Sequence, residues 1–453
     1  MTRFGWASRP FTPDRPAMVQ GQMHIRIARR AKDPLTVTAL AIDPGPPATG
    51  VIWIGCDLCH IADELRQGVR ERLVDRLGEV PSDGIVLSAT HTHDGPVLAE
   101  GYYPHPGGDV MTPGECCDWV AARAAEAAAE AWESRAPGQV GRAFGHAVVG
   151  HNRRAVYADG AAVMYGKTDR PDFLCIEGTE DHSLDVLAFW DAAGRLRGLL
   201  VDIPCPSQED EHLSEWSADY WHDVRLELRR RFGEDLHVLG LCGAAGDQSP
   251  HFLLYGPQEE QMRRRRGTSE RQEIAQRVGE AVSGALACTP PAGEVEVAHV
   301  VRRLSLPGRS ITPAERDWAQ GRYDQAMAAG EDPALWWPRR LKRVMECFDA
   351  GEPLPAMPVE LHVLRIGEAV LASSPFELYL DYGLRIKARS PAAQTLIVQL
   401  AGSGSYLPTE RAVSGGHYGA HPVVAPVGPE GGRMLVEESL LAIGEVWRGE
   451  PET

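Results

Sequence analysis

Residues 84–96, GIVLSATHTHDGP, contain an apolar run that ends in two histidines separated by a single residue. The run predicts a short buried strand that ends where the polar residues begin. Residues i and i+2 of a strand point to the same side, so we expect His91 and His93 to face one cavity. A lone histidine at such a position is usually a surface group, whereas a His-x-His pair also suits a metal site. The stretch therefore predicts chemistry at the end of a buried strand.

Strand and helix patterns alternate on both sides of this stretch. Apolar runs rich in β-branched residues predict strands at 35–43, 51–56, 84–89, 185–190, 198–203, 236–242, 359–366, 369–374 and 395–400. Apolar residues repeating every three or four positions predict helices at 62–77, 114–134, 217–232, 268–287 and 312–349, with a break at Pro338, and a last helix to about 448. This alternation predicts an α/β fold with mixed β-sheets flanked by helices.

Composition and charge narrow the classes of function. The chain has 453 residues and a formal net charge of −17, which argues against a nucleic-acid partner. The basic run 263–266 is interpreted as a solvated helix start or a salt-bridged patch. No apolar stretch is long enough to span a membrane, and residues 1–16 do not have the pattern of a secretory signal.

The nine cysteines are odd in number and irregular in spacing. Such a set fits a reducing compartment better than a disulfide framework, so a cytoplasmic location is expected. The single Cys-x-x-Cys, Cys56 to Cys59, has no second pair to complete a zinc site and is interpreted as buried thiols.

Three more polar clusters follow predicted strands, where α/β proteins gather their ligand sites. Cys205 lies between two prolines in IPCPSQ (203–208) and is open to three interpretations: thiolate ligand, nucleophile or inert core residue, of which the inert one leads. Ser249 lies in GDQSPH (246–251), which also fits a simple turn. Glu377 and Tyr406 follow later strands, and each taken alone is more typical of a surface or packing residue.

Taken together, these segments resemble the catalytic domain of the neutral/alkaline (non-lysosomal) ceramidase family, zinc amidohydrolases that cleave the N-acyl bond of ceramide. The family carries SATHTHSGPG where this chain has SATHTHDGPV, INRS where it has HNRR (151–154), and GDVSPN where it has GDQSPH. Tyr406 and Tyr418 keep the family's twelve-residue spacing between two tyrosines. The resemblance covers about residues 10 to 448, so residues 1–453 are expected to form one such catalytic domain without the immunoglobulin-like domain that follows it in the family.

The resemblance implies a role for each matching residue. One Zn²⁺ per chain would be held by His91, Cys205, Glu377 and Tyr406. His93 would act as acid/base or oxyanion partner, with Ser249, Tyr418 and Arg153 as further catalytic residues, and Asp94 and Asp247 are expected to orient a histidine. The family has a histidine where this chain has Cys205, which puts the identity of the metal in doubt. His212 or, better placed in a helical pattern, His222 are the alternative imidazoles.

The implied function is zinc-dependent hydrolysis of an N-acyl bond in a small or lipid-like substrate. A metal-dependent esterase or sugar N-deacylase would use the same site. A cysteine hydrolase with Cys205 as nucleophile, and a non-catalytic binding relative, are alternatives of other classes.

Overall fold

The structure, a computed structural model, describes residues 2–46, 48–78 and 80–448. Its strands are β1 Arg3–Pro10, β2 Ala17–Met18, β3 Ile27–Ala28, β4 Thr36–Asp43, β5 Val51–Cys56, β6 Ile85–Ala89, β7 Ala136–His146, β8 His151–Asn152, β9 Arg154–Tyr157, β10 Ala162–Met164, β11 Phe173–Ile176, β12 Ser183–Asp191, β13 Leu196–Ile203, β14 His237–Cys242, β15 Gln248–Ser249, β16 Val297–Leu306, β17 Met357–Ile366, β18 Ala369–Ser373, β19 Glu377–Leu378, β20 Gln394–Val398 and β21 Tyr406–Leu407. Its helices are α1 Asp63–Leu73, α2 Pro113–Glu133, α3 Tyr220–Phe232, α4 Gly256–Arg266, α5 Glu270–Leu286, α6 Pro313–Ala328, α7 Trp336–Asp349, α8 Leu380–Arg389, α9 Glu410–Gly415 and α10 Pro429–Arg448, with a short 3₁₀ turn at Ser82–Gly84.

Two mixed sheets form the centre of the molecule. Over the described residues, the larger sheet has the strand order β14-β13-β12-β7-β1-β4-β5-β6 and the second has the order β16-β17-β18-β20. The pairs β5–β6, β13–β14 and β18–β20 are parallel, whereas the other neighbours within these two sheets are antiparallel. The predicted class, mixed sheets flanked by helices, is confirmed.

The apolar faces arrange these elements in four layers. One buried cluster joins the two sheets face to face, with Trp53 and Leu241 from the larger sheet and Leu364 and Leu396 from the smaller one. Two further clusters cover the outer face of the larger sheet, one with α1 and α2 and the other with α3 and α5. Helices α8 and α10 cover the outer face of the smaller sheet. Strands buried on both faces explain the nearly continuous apolar runs of β4, β5 and β6.

Several local predictions need correction. The helical pattern over 312–349 is two helices, and Pro338 lies in the first turn of α7 rather than at the break. A proline is tolerated there because the first backbone N–H groups of a helix have no partner within the helix. The arginines 263–266 end α4 instead of opening a helix. Glutamates pair with Arg263, Arg264 and Arg266, so the alternative interpretation as a salt-bridged patch is confirmed.

Strands β1, β7 and β16 had no counterpart among the predicted elements. Glycine, proline and arginine interrupt the apolar alternation in β1 and β7, so their pairing comes from the sheet and not from local propensity. None of the described helices combines the length and the apolar character needed to cross a membrane.

Candidate metal centre

The site forms where the ends of several strands converge. The backbone N–H of Ala89, the last residue of β6, donates to the carbonyl of Leu400 beyond β20 at 3.2 Å. The N–H of Ser207, beyond β13, donates to the carbonyl of Thr90 at 3.3 Å. Segments that are far apart in sequence therefore bring their first loop residues to one place, as is usual for ligand sites in α/β proteins.

The two histidines of the opening stretch lie in a turn and not in a strand. Strand β6 ends at Ala89, and His91 has a left-handed backbone with φ of 66°. Left-handed backbone is strained for a residue other than glycine, and such strain clusters at functional sites. The rings of His91 and His93 lie 5.0 Å apart, nearly perpendicular, and line one cavity. The prediction of a shared cavity is confirmed, but the turn produces it rather than strand alternation.

The His91 ring is oriented by its own backbone surroundings. Its Nδ1 contacts the carbonyl oxygen of Cys59 at 2.5 Å, and a carbonyl only accepts, so Nδ1 carries the proton. In the neutral ring the lone pair is then on Nε2, which lies 3.3 Å from Oε2 of Glu377. Both atoms are buried and neither has a hydrogen-bond partner. Burial lowers the pKa of His91, but Glu377 and Cys59 raise it by more, so the net shift is well upward.

Glu377 and Tyr406 are brought together by a two-residue parallel pairing. Strand β19 pairs with β21 so that Glu377 is opposite Tyr406. Nη2 of Arg153 lies 3.8 Å from Oε2 of Glu377 and donates to the Tyr406 hydroxyl at 3.4 Å. Burial raises the pKa of Glu377, but His91 and Arg153 lower it by more, so the carboxylate form is favoured. Three residues that the resemblance assigned to the site therefore meet around His91.

Tyr418 stands at the open side of this group. Its ring lies edge-on to that of Tyr406, with centroids 5.6 Å apart, and the residue is 41% exposed. It lines the same cavity as the two histidines, together with an aromatic wall of Tyr102, Tyr103, Trp336 and Trp337. Tyr102 stacks on Trp336 with centroids 5.8 Å apart.

Cys59 is a site residue that the sequence interpretation set aside. Its thiol lines the cavity, and its Sγ lies 3.8 Å from Nδ1 of His91. Cys59, His91 and His93 each offer one ligand atom, and these three atoms all lie within 4.8 Å of one another. Within the described parts of the chain, this is the group of three His, Cys, Asp or Glu side chains close enough to hold a metal ion. Burial raises the pKa of Cys59, but the two imidazoles lower it by more, so the net shift is well downward. The thiol is buried, as predicted, but it is not inert packing.

His93 is held between an amide and a carboxylate. Nη1 of Arg153 donates to Oε1 of Gln208 at 3.1 Å, which fixes the amide so that its nitrogen donates to Nε2 of His93 at 2.6 Å. On the other side, Oε2 of Glu211 lies 3.3 Å from Nδ1 of His93. Burial lowers the pKa of His93, and Cys59 and Glu211 raise it by more.

Arg153 and Ser249 are joined through a tyrosine. Nη1 of Arg153 donates to the Tyr165 hydroxyl at 2.9 Å, and that hydroxyl donates to Oγ of Ser249 at 3.3 Å. Nη2 of Arg153 also donates to the carbonyl of Gly246 at 3.0 Å. Arg153 therefore organises its neighbours, and the fully buried Ser249 lies behind Tyr165.

Cys205 lies outside the group formed by Cys59 and the two histidines. Its side chain belongs to the core cluster packed on α3, and its thiol donates to the carbonyl of Pro206 at 3.4 Å. Burial raises the pKa of this thiol well above its usual value. Its ligand role stays a prediction. Of the alternative imidazoles, His212 is 76% exposed at its side chain, and His222 lies in the first turn of α3.

The two predicted aspartates act on loops and not on a histidine ring. Asp94 accepts from the guanidinium of Arg26 at 2.9 Å, and burial raises its pKa to about 8. Asp247 accepts from the Asn152 side chain and from the backbone N–H of Leu380, both at 2.9 Å. Asp247 thereby ties the segment that carries Arg153 to the segment that follows Glu377.

Sequence reasoning missed Cys59, Tyr165, Gln208 and Glu211. The rule that polar residues just beyond a strand form the site would have found Cys59 after β5, and Gln208 and Glu211 after β13. Tyr165 has no such signal, because its position comes from the fold of the small sheet formed by β9, β10 and β11.

No protein-family model matches the chain, and no curated protein matches it. Solved structures do match it, among them two ceramidases. The neutral ceramidase from Pseudomonas aeruginosa superposes with a TM-score of 0.72 at 16% identity, over 100% of this chain and 75% of that one. A ceramidase complexed with C2 superposes with a TM-score of 0.71 at 15% identity, over 100% of this chain and 76% of that one.

The chain has a neutral-ceramidase-like fold. The fold expected from the motifs is therefore confirmed over the whole chain, while the low identity leaves the chemistry to be argued from the residues of this site.

Proposed function

We propose that the protein is a zinc-dependent amidohydrolase that cleaves an N-acyl bond of a small or lipid-like substrate. One observation carries the proposal. Nε2 of His91 and Oε2 of Glu377, both buried and without hydrogen-bond partners, lie 3.3 Å apart. In a tetrahedral zinc site each nitrogen or oxygen ligand atom lies about 2.0 to 2.1 Å from the zinc. Two such ligand atoms are then about 3.3 to 3.4 Å from each other.

The donor set supports this proposal. Without a metal, a second ring proton on Nε2 would join His91 to Glu377, and the raised pKa of His91 favours that form, since Nδ1 already donates to Cys59. A cation held by both atoms needs no such proton. His91, Glu377 and Tyr406 would hold the ion. Cys205 stays the predicted fourth ligand, although its thiol would first have to break its hydrogen bond to the carbonyl of Pro206. When bound, such an ion polarises an acyl carbonyl and lowers the pKa of a water molecule.

The protein's own groups would move the protons. In this proposal the hydrogen bond from Gln208 to Nε2 of His93 first breaks, and Nε2 then accepts a proton from the attacking water and delivers it to the leaving amine. Glu211 beside Nδ1 favours the protonated ring once the proton has moved. Tyr418, which is partly exposed and lines the cavity, is the group best able to donate to the developing oxyanion.

Arg153 takes a different role from the one that the resemblance implied. Both of its terminal nitrogens are already engaged, by Tyr165 and Gln208 on one side and by Gly246 and Tyr406 on the other. It therefore positions these residues, and it supports the ionised form of Glu377. Ser249 is fully buried behind Tyr165, which favours a supporting role over nucleophilic attack.

A cysteine hydrolase with Cys205 as nucleophile is less well supported. Nucleophilic cysteines have a lowered pKa and partial exposure, whereas the Cys205 thiol is fully buried and its pKa is raised. An esterase or a sugar N-deacylase would use the same metal site, so the substrate has to be found by assay.

The test combines elemental analysis with hydrolysis of a panel of N-acyl amides and esters. We expect about one zinc per chain in the wild type, and loss of both zinc and hydrolysis in His91→Ala with the fold intact by circular dichroism. His212→Ala is the matched control, because His212 is exposed, and should keep both. Retained zinc and full activity in His91→Ala would disprove the proposal.

A further inference from the structure

The His91 ring has ligand atoms near both of its nitrogens. Nε2 faces Glu377, the side used in the proposed function. Nδ1 lies 3.8 Å from Sγ of Cys59, with His93 beside both residues. Nδ1 of His93 is buried and lies 3.3 Å from Oε2 of Glu211, so a metal would have to displace the proton that this nitrogen carries in the neutral ring. The thiol side of His91 thus offers sulfur and nitrogen donors, whereas the other side offers carboxylate and phenol oxygen.

We propose that Cys59, His91 and His93 form a second metal site, specific for a soft cation such as Cd²⁺ or excess Zn²⁺. Thiolate and imidazole ligands select soft and borderline metals, while oxygen ligands favour harder ones. Their ligand atoms lie within 4.8 Å of one another, close enough for one ion to draw them in by small side-chain rotations.

The backbone around Cys59 is built rigidly enough to hold such a site. Asp57 is fully buried and takes two hydrogen bonds from the guanidinium of Arg225, at 2.7 and 2.9 Å. It also accepts from the backbone N–H of Thr36 at 2.9 Å and from the Thr90 hydroxyl at 3.3 Å. The His91 N–H donates to the carbonyl of Leu58 at 2.9 Å. These bonds lock the turn after β5 against the turn after β6.

The two sites exclude each other because a neutral imidazole carries one proton. With the proton on Nδ1, donating to the Cys59 carbonyl, Nε2 is free for a metal shared with Glu377. With the proton on Nε2, facing Glu377, Nδ1 is free for a metal shared with Cys59. A soft cation on the thiol side also takes His93 out of proton transfer. A cation bound at this site should therefore inhibit hydrolysis. The inhibition rests on the proposed function, whereas the binding of the cation does not.

Binding is tested first, without activity. The background is Cys175→Ser/Cys288→Ser, which removes the thiols of two exposed cysteines. Titration with Cd²⁺ should give the ultraviolet thiolate-to-metal charge-transfer band. In Cys59→Ser that band should disappear and the apparent Kd should rise by about tenfold or more. Cys347→Ser, which removes a buried thiol in a separate core cluster, should keep the band. An unchanged band and Kd in Cys59→Ser, or loss of the band only in Cys205→Ser, would overturn the site.

Inhibition is tested second, as the ratio of hydrolysis rates with and without Cd²⁺ in each variant. We expect a fall in the wild type and a ratio near one in Cys59→Ser. If the wild type binds Cd²⁺ through Cys59 and stays fully active, the inference that both metal sites use His91 is wrong. A wild type that hydrolyses nothing on the panel would count against the proposed function alone, because the charge-transfer titration tests the thiol site in either case.

Discussion

The turns around Cys59 and Cys205 present the same residue type in opposite settings. Both thiols are buried and both follow a strand of the larger sheet, β5 in one case and β13 in the other. Cys59 faces two imidazoles across a cavity, and its pKa is lowered. Cys205 faces a carbonyl and a core cluster, and its pKa is raised. The comparison shows that burial alone does not decide the chemistry of a thiol, because the charges around it do.

The difference begins in the backbone. Asp57 accepts four hydrogen bonds from three residues, Arg225, Thr36 and Thr90, and holds the turn that carries Cys59 against the histidine turn. Cys205 is fixed instead by flanking prolines, by its own N–H bond to Ile203 at 2.7 Å, and by the Tyr220 hydroxyl on its carbonyl. The first turn thus points its side chain toward the cavity, and the second points its side chain into the core.

The largest effect should come from breaking the turn that carries Cys59. Asp57→Ala leaves the Arg225 guanidinium buried without its carboxylate, so the free energy of unfolding should fall by about 3–5 kcal/mol. Asp63→Ala, which removes an exposed carboxylate paired with Arg66, should cost less than about 1 kcal/mol. Urea denaturation measures both. A fall of under about 1 kcal/mol for Asp57→Ala would show that the buried pair does not hold this turn.

A smaller effect should separate the two thiols by reactivity. In the native protein Cys59 should be alkylated by iodoacetamide at least about tenfold faster than Cys205, because thiolate is the reactive form. Peptide mapping by mass spectrometry reads each cysteine separately, and the exposed Cys175 and Cys288 report the unhindered rate. Equal rates at Cys59 and Cys205 would show that the two thiols do not differ in reactivity.

The smallest effect should be on packing. Cys205→Ala removes a sulfur from a core cluster, so we expect a loss of about 1 kcal/mol in unfolding free energy. Cys59→Ala removes a sulfur from a cavity wall and should cost only a few tenths of a kcal/mol. Denaturant titration of the two variants side by side checks the order, and a larger loss for Cys59→Ala would reverse the comparison.

Local sequence patterns correctly predicted much of the site, but one of the physical arguments behind these predictions was wrong. The apolar run before His91 correctly predicted a buried strand, and the pair of histidines correctly predicted a shared cavity. The strand-parity argument failed, because the turn starts before His91 and its left-handed backbone redirects the ring. Cys59 was set aside because a Cys-x-x-Cys with no second pair looks incomplete. Its partners, His91 and His93, lie more than thirty residues further along the chain.

The sequence by itself determined which segments form the central strands and which reactive side chains follow them. Buried strands need continuous apolar runs, and the polar residues after each run are free of the sheet. Only the tertiary structure decided which strand ends meet, which nitrogen of His91 carries the proton, and which cysteine faces the imidazoles. These outcomes depend on contacts such as those of His91 with Glu377 and Arg153 with Tyr406, between residues more than 250 positions apart, which no local pattern specifies.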